Sequence, residues 1–431
     1  MKRPSGLLTT LFLMAAAVAS AEPTAFVGAT IMPVADAPID NGVLVIDGGK
    51  IVAIGAGVRV PRNAEVVDVA GKVIVPGFVD THSHIGEPAG ADQSSPIQPE
   101  TRVLDSINVR DAGFKRALAG GITTVNLMSG SGHLMSGQTI YVKLREGNSI
   151  ESIAYKKDDG SVDGGMKMAN GTNPRRDPPF PGTRGKSAAL VRQKYVAAQE
   201  YMAKIERADG DPEKMPERDL AMEALVEVLN GERIVHHHTH RHDDILTVLR
   251  LQKEFGFRVV LHHVSEAHRV ADEIAAANAP VSLIMIDSPG GKLEAQYIDF
   301  ENAPALERAG VNVGFHTDDY ITDSRLFMRM AAIGVRAGMS RETALRALTL
   351  AGAEMLDLDD RVGTLERGKD ADFVILSGDP LSVYTRVQET WVEGVKRFDL
   401  DDPDDRAVAE GGFGALQPSF VHEFHGYEEG H

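Results

Sequence analysis

The 431-residue chain contains no cysteine. That excludes disulfides and every thiolate metal site, so a bound metal would have to be held by His, Asp, Glu or Lys. An excess of positive charge is also missing. The formal net charge of −17 argues against nucleic acid or an anionic membrane as partner and leaves a small soluble molecule as the expected one. No GxGxxG, P-loop or haem motif stands in a suitable context, so no organic cofactor is expected. Past the N-terminus, no run is long and apolar enough to span a bilayer.

What is present is ordinary in bulk, with 43% apolar and 25% charged residues, enough for a large core. The N-terminus reads MKRPSGLLTTLFLMAAAVASAEP. Lys2 and Arg3 precede a short apolar stretch, and Ala19-Ser20-Ala21 offers a small-x-small cleavage site. Residues 1–21 are therefore expected to be a signal peptide, with a mature start at Glu22 and a periplasmic or secreted destination. No membrane association is expected after cleavage. Whether the protein is a homo-oligomer stays open.

Residues 22–78 are broken into short β-like runs by Gly, Asp and Asn, and the same texture returns over 362–399 in GKDADFVILSGDP and TWVEGVKRF. One small sheet domain built from both ends is the expectation. Between them, over 79–361, eight apolar β-type runs alternate with helical patterns, as in a (β/α)8 barrel. The runs fall near 74–80, 122–127, 139–143, 165–168, 233–238, 258–263, 280–286 and 311–316. DDILTVLRLQKEFG, SEAHRVADEIAAAN and SRETALRALTLAGAEML read as helices. An insertion over 170–232, opening on NGTNPRRDPPFPGTRG, carries helices near 186–207 and 217–229 and reads as a lid or specificity element. Residues 400–431 are acidic and Gly-rich and read as a flexible tail.

VIVPGFVDTHSHIG is the most informative stretch. His82 and His84 stand at i and i+2 at the end of an apolar strand, with Asp80 before them, so both imidazoles project from one face. At the C-terminal end of a barrel strand that face is the floor of an active site, and two convergent neutral imidazoles suit Zn²⁺ or a similar ion. RIVHHHTHRHDD, over 233–244, places five of the fifteen histidines within seven positions. Alternation puts His236, His238 and His240 on one face without choosing among them. In FRVVLHHVSEAH alternation lets only one of His262 and His263 face inward. VNVGFHTDDY ends an apolar run on Thr317-Asp318-Asp319, and DGGMKMANG contains Lys167.

PGFVDTHSH together with GTLERGKDADFVILSGDP resembles the metal-dependent amidohydrolase superfamily, in particular its imidazolonepropionase- and prolidase-like branch, over about residues 25–398. The resemblance implies a (β/α)8 TIM barrel with a small β-sandwich and one or two divalent ions, zinc first among them. It implies His82, His84, Lys167, His238, His263 and Asp318 as metal ligands, with Lys167 carbamylated. Asp318 would also be the catalytic acid–base group. His262 then becomes a packed neighbour, His240 a substrate contact, and Asp319 a helix-capping acid. His242 reads as a polar residue before a helix, and His316 as a ligand or a buried residue. Glu146 is a weaker alternative to Lys167. His133 follows strand 2, where relatives place a substrate contact, and Arg175, with Arg176, can grip a substrate carboxylate.

The expected function is hydrolysis of an amide, dipeptide or cyclic amide bond in a small substrate. A mononuclear deaminase or ring-opening hydrolase is the alternative, and a non-enzymatic metal- or solute-binding module stands behind both.

Overall fold

The computed structural model describes residues 22–86, 92–285, 293–319 and 321–411. The expected signal peptide and residues 412–431 of the expected tail lie outside the described residues. The strands nearest the N-terminus are Thr24–Ile31 (β1), Ile39–Asp47 (β2), Lys50–Gly55 (β3), Glu65–Asp68 (β4) and Val73–Pro76 (β5). The middle adds Phe78–Ser83 (β6), Ile122–Leu127 (β7), Met135–Gln138 (β8), Ile140–Lys143 (β9), Met166–Ala169 (β10), Val235–Thr239 (β11), Val259–His263 (β12), Val281–Leu283 (β13) and Val313–Phe315 (β14). Phe373–Leu376 (β15), Val387–Val392 (β16) and Val395–Asp399 (β17) follow.

The two ends form one sheet, in the order β17-β16-β15-β5-β1-β2-β3 with β4 on β1. Its seam is the antiparallel pair β5–β15, where Val75 lies opposite Val374. Phe26, Phe373 and Trp391 fill its core, with Phe373 stacked on Trp391 at 5.5 Å.

The middle is TIM-barrel-like. β10 to β14 run parallel to one another in a six-stranded sheet that also holds β8, and β6-β7-β9 form a second sheet. β6 meets the chain just past β14 through Asp318 N–H donating to His82 O at 2.9 Å and His84 N–H to Asp319 O at 3.3 Å. The remaining seam is spanned by the segment from β8 to β9, which pairs with β10 through β8 and with β7 through β9. Both pairings are antiparallel, which corrects the expectation of eight like strands alternating with helices. A parallel return needs a crossover of a dozen or more residues, usually a helix. Between β7 and β9 the chain makes only β8.

Several helices follow their local signals. The expected DDILTVLRLQKEFG helix is His242–Phe255, closed by Gly256 at φ 77°. SRETALRALTLAGAEML breaks at Thr349 into Arg341–Leu348 and Leu350–Met355. SEAHRVADEIAAAN yields only a 3₁₀ turn and the short helix Ala271–Ala276. The insertion carries Arg184–Ala208, whose first turn is capped by Thr183, and Leu220–Leu229. The expectation of a flexible tail from residue 400 is corrected over Pro403–Glu410, which form a helix capped by Asp402.

One buried charge cluster ties the end sheet to the barrel-like middle. Lys143 of β9 is 1% exposed, and its ammonium bonds Asp370 and lies 3.1 Å from Asp372. Burial pushes the Asp370 carboxyl up, but Lys143 outweighs it and holds the group down at about 2. Removing the cation would leave the buried Asp372 carboxylate without its charge partner, while Asp370 keeps Lys50 at 2.6 Å and Arg361 at 2.8 Å, at a cost of about 3 kcal/mol. Lys143→Met is therefore expected to lower the unfolding free energy by that much in urea titrations. A loss below about 1 kcal/mol would show that the cluster is solvated.

Candidate metal centre

All six residues of β6, FVDTHS, are buried, and alternation turns Asp80 and His82 the same way, with His84 just past the strand. Gly77 precedes the strand because a Cβ there would sit 2.3 Å from Thr123 Oγ1. Asp80 accepts from Thr317 N and Oγ1 at 3.1 and 2.5 Å and from His82 N at 3.2 Å. That one carboxylate fixes β6 against the turn carrying Asp318; burial raises its pKa to about 7.

Asp318 stands at φ 51°, in the left-handed region that a non-glycine residue seldom adopts. Its amide is held by His82 O, and the turn aims the carboxylate at the histidines. Asp318 Oδ1 is 2.9 Å from His84 Nε2 and 3.3 Å from His82 Nε2. Lys167 Nζ, fully buried on β10, is 3.1 Å from His82 Nε2 and 3.2 Å from Met128 Sδ.

This donor set fits a cation. His84 Nδ1 contacts Met128 O at 2.7 Å, and a carbonyl can only accept, so Nδ1 carries the proton. Nε2 is then a bare lone pair facing a carboxylate that also only accepts. Two acceptors at 2.9 Å need a metal ion or a proton between them. Burial holds His82 and His263 well below the ordinary imidazole range and pushes His236 and His316 down to about 3. Neutral imidazole is the form that ligates.

On β12 the parity argument fails. His262 and His263 both reach His82, at ring-centroid distances of 5.0 and 4.9 Å. The strand ends at His263 with φ 70°, followed by Val264 at φ 42°, and alternation holds only while the backbone stays extended. The turn swings His263 inward beside its neighbour. His262 continues a buried chain: His82 Nδ1 to His262 Nδ1 at 3.3 Å, His262 Nε2 to His236 Nδ1 at 3.0 Å, and His236 Nε2 to Tyr141 OH at 2.9 Å. With His82 Nε2 left bare, the chain runs one way, each imidazole N–H donating onward and the last reaching the Tyr141 oxygen.

On β11 the even-numbered histidines do share the inner face, while His237 turns away, Nδ1 on His238 O at 2.9 Å. His238 lies beside His263 and His240, at ring centroids 4.5 and 4.7 Å. Glu294, absent from every sequence motif, comes within 3.8 Å of His238 Nε2. His316 also lies inside, stacked on His82 at 5.0 Å.

The structure thus gathers His82, His84, Lys167, His238, His263 and Asp318 at one end of the strands, with His240 beside them. His82, His84 and Asp318 have ligand atoms within 4.8 Å of one another. His133 is buried apart from that group, bonded to Asp92 O and edge-on to Phe180 at 5.3 Å. Arg175 is occupied by Gly171 O at 2.9 Å, and Arg176 covers Phe180. Glu146 is removed from consideration: it is exposed and pairs with Arg397. Asp319 accepts from Ser324 N and faces the buried Arg116, so it pins the loop rather than facing the site. His242 opens its helix, bonded to Glu266 at 2.6 Å.

A family model described as the amidohydrolase family matches residues 111–397. The chain belongs to the amidohydrolase family. Among solved structures, an amidohydrolase from Thermotoga maritima is 33% identical, with a TM-score of 0.81 over 87% of this chain and 100% of that one. An amidohydrolase, tasK, from Hapsidospora irregularis is 27% identical over 80% of this chain, which spans only 38% of that relative's length. An imidazolonepropionase from Caldanaerobacter subterraneus subsp. tengcongensis is 24% identical over 78% of this chain and 84% of the relative. Amidohydrolase-family membership places the chain among metal-dependent hydrolases acting on carbon–nitrogen bonds.

Proposed function

We propose that the protein is an exported zinc amidohydrolase that cleaves an amide, dipeptide or cyclic amide bond of a small substrate, on a TIM-barrel-like fold with a β-sandwich from both chain ends. The observation that carries this reading is the convergence of His82 Nε2 and His84 Nε2 on Asp318 Oδ1 at 3.3 and 2.9 Å. His82, His84, Lys167 and Asp318 would hold one ion, and His238 and His263 a second, with Lys167 as a carbamate joining the two. A buried ammonium among neutral imidazoles is poorly solvated, and carbamylation replaces it with an anion bearing two oxygens.

A divalent ion bound there would bring the pKa of water toward neutrality and polarise a carbonyl. Asp318, partly open to the mouth, accepts the proton of the attacking water and passes it to the leaving nitrogen. His84, its tautomer set by Met128 O, keeps its lone pair on the same point. Asp80 and the His82–His262–His236 chain hold the first imidazole in register. His133, His240 and Arg175 are proposed to contact substrate, and the insertion to cover it.

Metal content per chain, measured without chelator on untagged mature protein, tests the reading, together with hydrolysis of an amide and dipeptide panel. Two zinc-like ions per chain and turnover lost on chelation are expected. A single ion would favour the mononuclear deaminase chemistry. No ion, even after zinc and bicarbonate, would end the proposal.

A further inference from the structure

We infer that Glu294 is an anionic ligand for a divalent cation, held together with His238 and His240 in a pocket beside the His82–His84–Asp318 group. This rests on the reading that the site takes divalent ions, and it deepens it: the second ion gains a carboxylate of its own, and His240 becomes a ligand of that ion instead of a substrate contact. His238, His240 and Glu294 are all buried, and their ligand atoms lie within 4.8 Å of one another.

The two oxygens of Glu294 have different surroundings. Oε2 is anchored, accepting from Thr172 N at 2.6 Å with Arg184 NH2 at 3.9 Å. Oε1 is buried, accepts no hydrogen bond, and faces His238 Nε2 at 3.8 Å. A carboxylate with one oxygen fixed by backbone and the other presented to an imidazole is arranged as a metal ligand is. Gly171, at φ 80°, lets the loop close over it, because a Cβ there would sit 2.4 Å from Oε2. His240 Nδ1 is fixed by Ser265 Oγ at 2.7 Å, which sets that ring's orientation. His263 Nε2, buried and without a hydrogen-bond partner, borders the same space, its ring stacked on His240 at 5.0 Å.

Charge supports the assignment. Two neutral imidazoles do not offset a divalent ion's charge, and a Lys167 carbamate would be shared with the first ion, so in a low-dielectric site a further anion is favoured. Asp318 supplies one to the first group; Glu294 is the carboxylate placed to supply one to the second. Two histidines and one carboxylate are also the ligand set of open zinc sites that keep a position for water or substrate. The anchors, Thr172 and Arg184, belong to the insertion between β10 and β11, so that segment shapes the metal pocket as well as covering it.

The test is a cobalt(II) titration of chelator-stripped full-length mature protein, followed by visible absorption and elemental analysis. With no cysteine in the chain, thiolate bands cannot interfere. The wild type should take up two equivalents. Glu294→Gln should keep one and bind the second on the order of 100-fold more weakly, as loss of a ligand implies. Asp318→Asn should weaken the other. If Glu294→Gln binds both as tightly as wild type while Asp318→Asn loses one, the inference is wrong and the amidohydrolase reading stands. If only one equivalent binds to wild type, loss through Glu294→Gln alone supports the assignment, and loss through Asp318→Asn alone overturns it. No binding to wild type removes both. Should Glu294→Gln fail to fold, Glu294→Asp decides: a second equivalent retained, though weakened, supports the assignment, and one bound at full affinity or lost completely refutes it.

Discussion

Asp318→Asn is expected to reduce kcat by about 10³–10⁴-fold on whichever amide the substrate panel identifies, with a folded protein and little change in KM. The substitution removes two things: the basicity that takes the proton from the attacking water, and the negative charge facing His82 and His84. It preserves the backbone. Asp318 sits at φ 51°, a conformation Asn tolerates and most residues do not, so the hydrogen bond its N–H donates to His82 O and the turn to Ile321 should persist. Asp319→Asn makes the contrast. That carboxylate faces Arg116 and accepts from Ser324, so its loss should show in thermal stability before it shows in turnover. Near-normal kcat in Asp318→Asn, with a thermal midpoint unchanged, would remove Asp318 from the chemistry.

The contrast between neighbouring aspartates shows where sequence reasoning reaches and where it stops. Patterns with a period were legible: the His-x-His pair on β6, the even face of β11, and the match in texture between the two chain ends that meet at β5–β15. These follow from pleat geometry and from apolar runs of strand length, which are local properties. What was missed depended on a departure from local regularity or on a long-range approach. His263 turns inward because two successive residues leave the extended region, and no side-chain alternation encodes that. β9 pairs antiparallel because no crossover helix separates it from β7. Glu294 could be found only by folding, because its loop carries no motif and reaches His238 through contacts with the insertion.

Stripped of metal, the protein is expected to lose stability steeply between pH 7.5 and pH 5.5. His236 and His316 are held by burial at about 3 and His237 at about 4, against about 6.5 in an unfolded chain. For a base whose folded pKa is depressed, the unfolded state binds more protons throughout the interval between the two values. Unfolding is then favoured as pH falls, beginning near 6.5, and the loss is complete only below about 3 for His236 and His316. One pH unit below 6.5, each such histidine contributes a loss of about 1.4 kcal/mol, so these three together remove about 4 kcal/mol. His82, His262 and His263 are displaced in the same direction and add to it. Against a total of about 5–15 kcal/mol for a folded domain, that is a large fraction. Asp80, raised by burial to about 7, takes up a proton in the folded state across this window and offsets about 2 kcal/mol of that loss, whereas Asp370, held at about 2, keeps its charge well below pH 5. Bound metal should flatten the upper part of the curve, since a ligating lone pair cannot take a proton. Urea unfolding at pH 7.5 and pH 5.5, with and without zinc, measures both effects. A metal-free protein equally stable at the two values would mean that water reaches these imidazoles and that they ionise inside the fold.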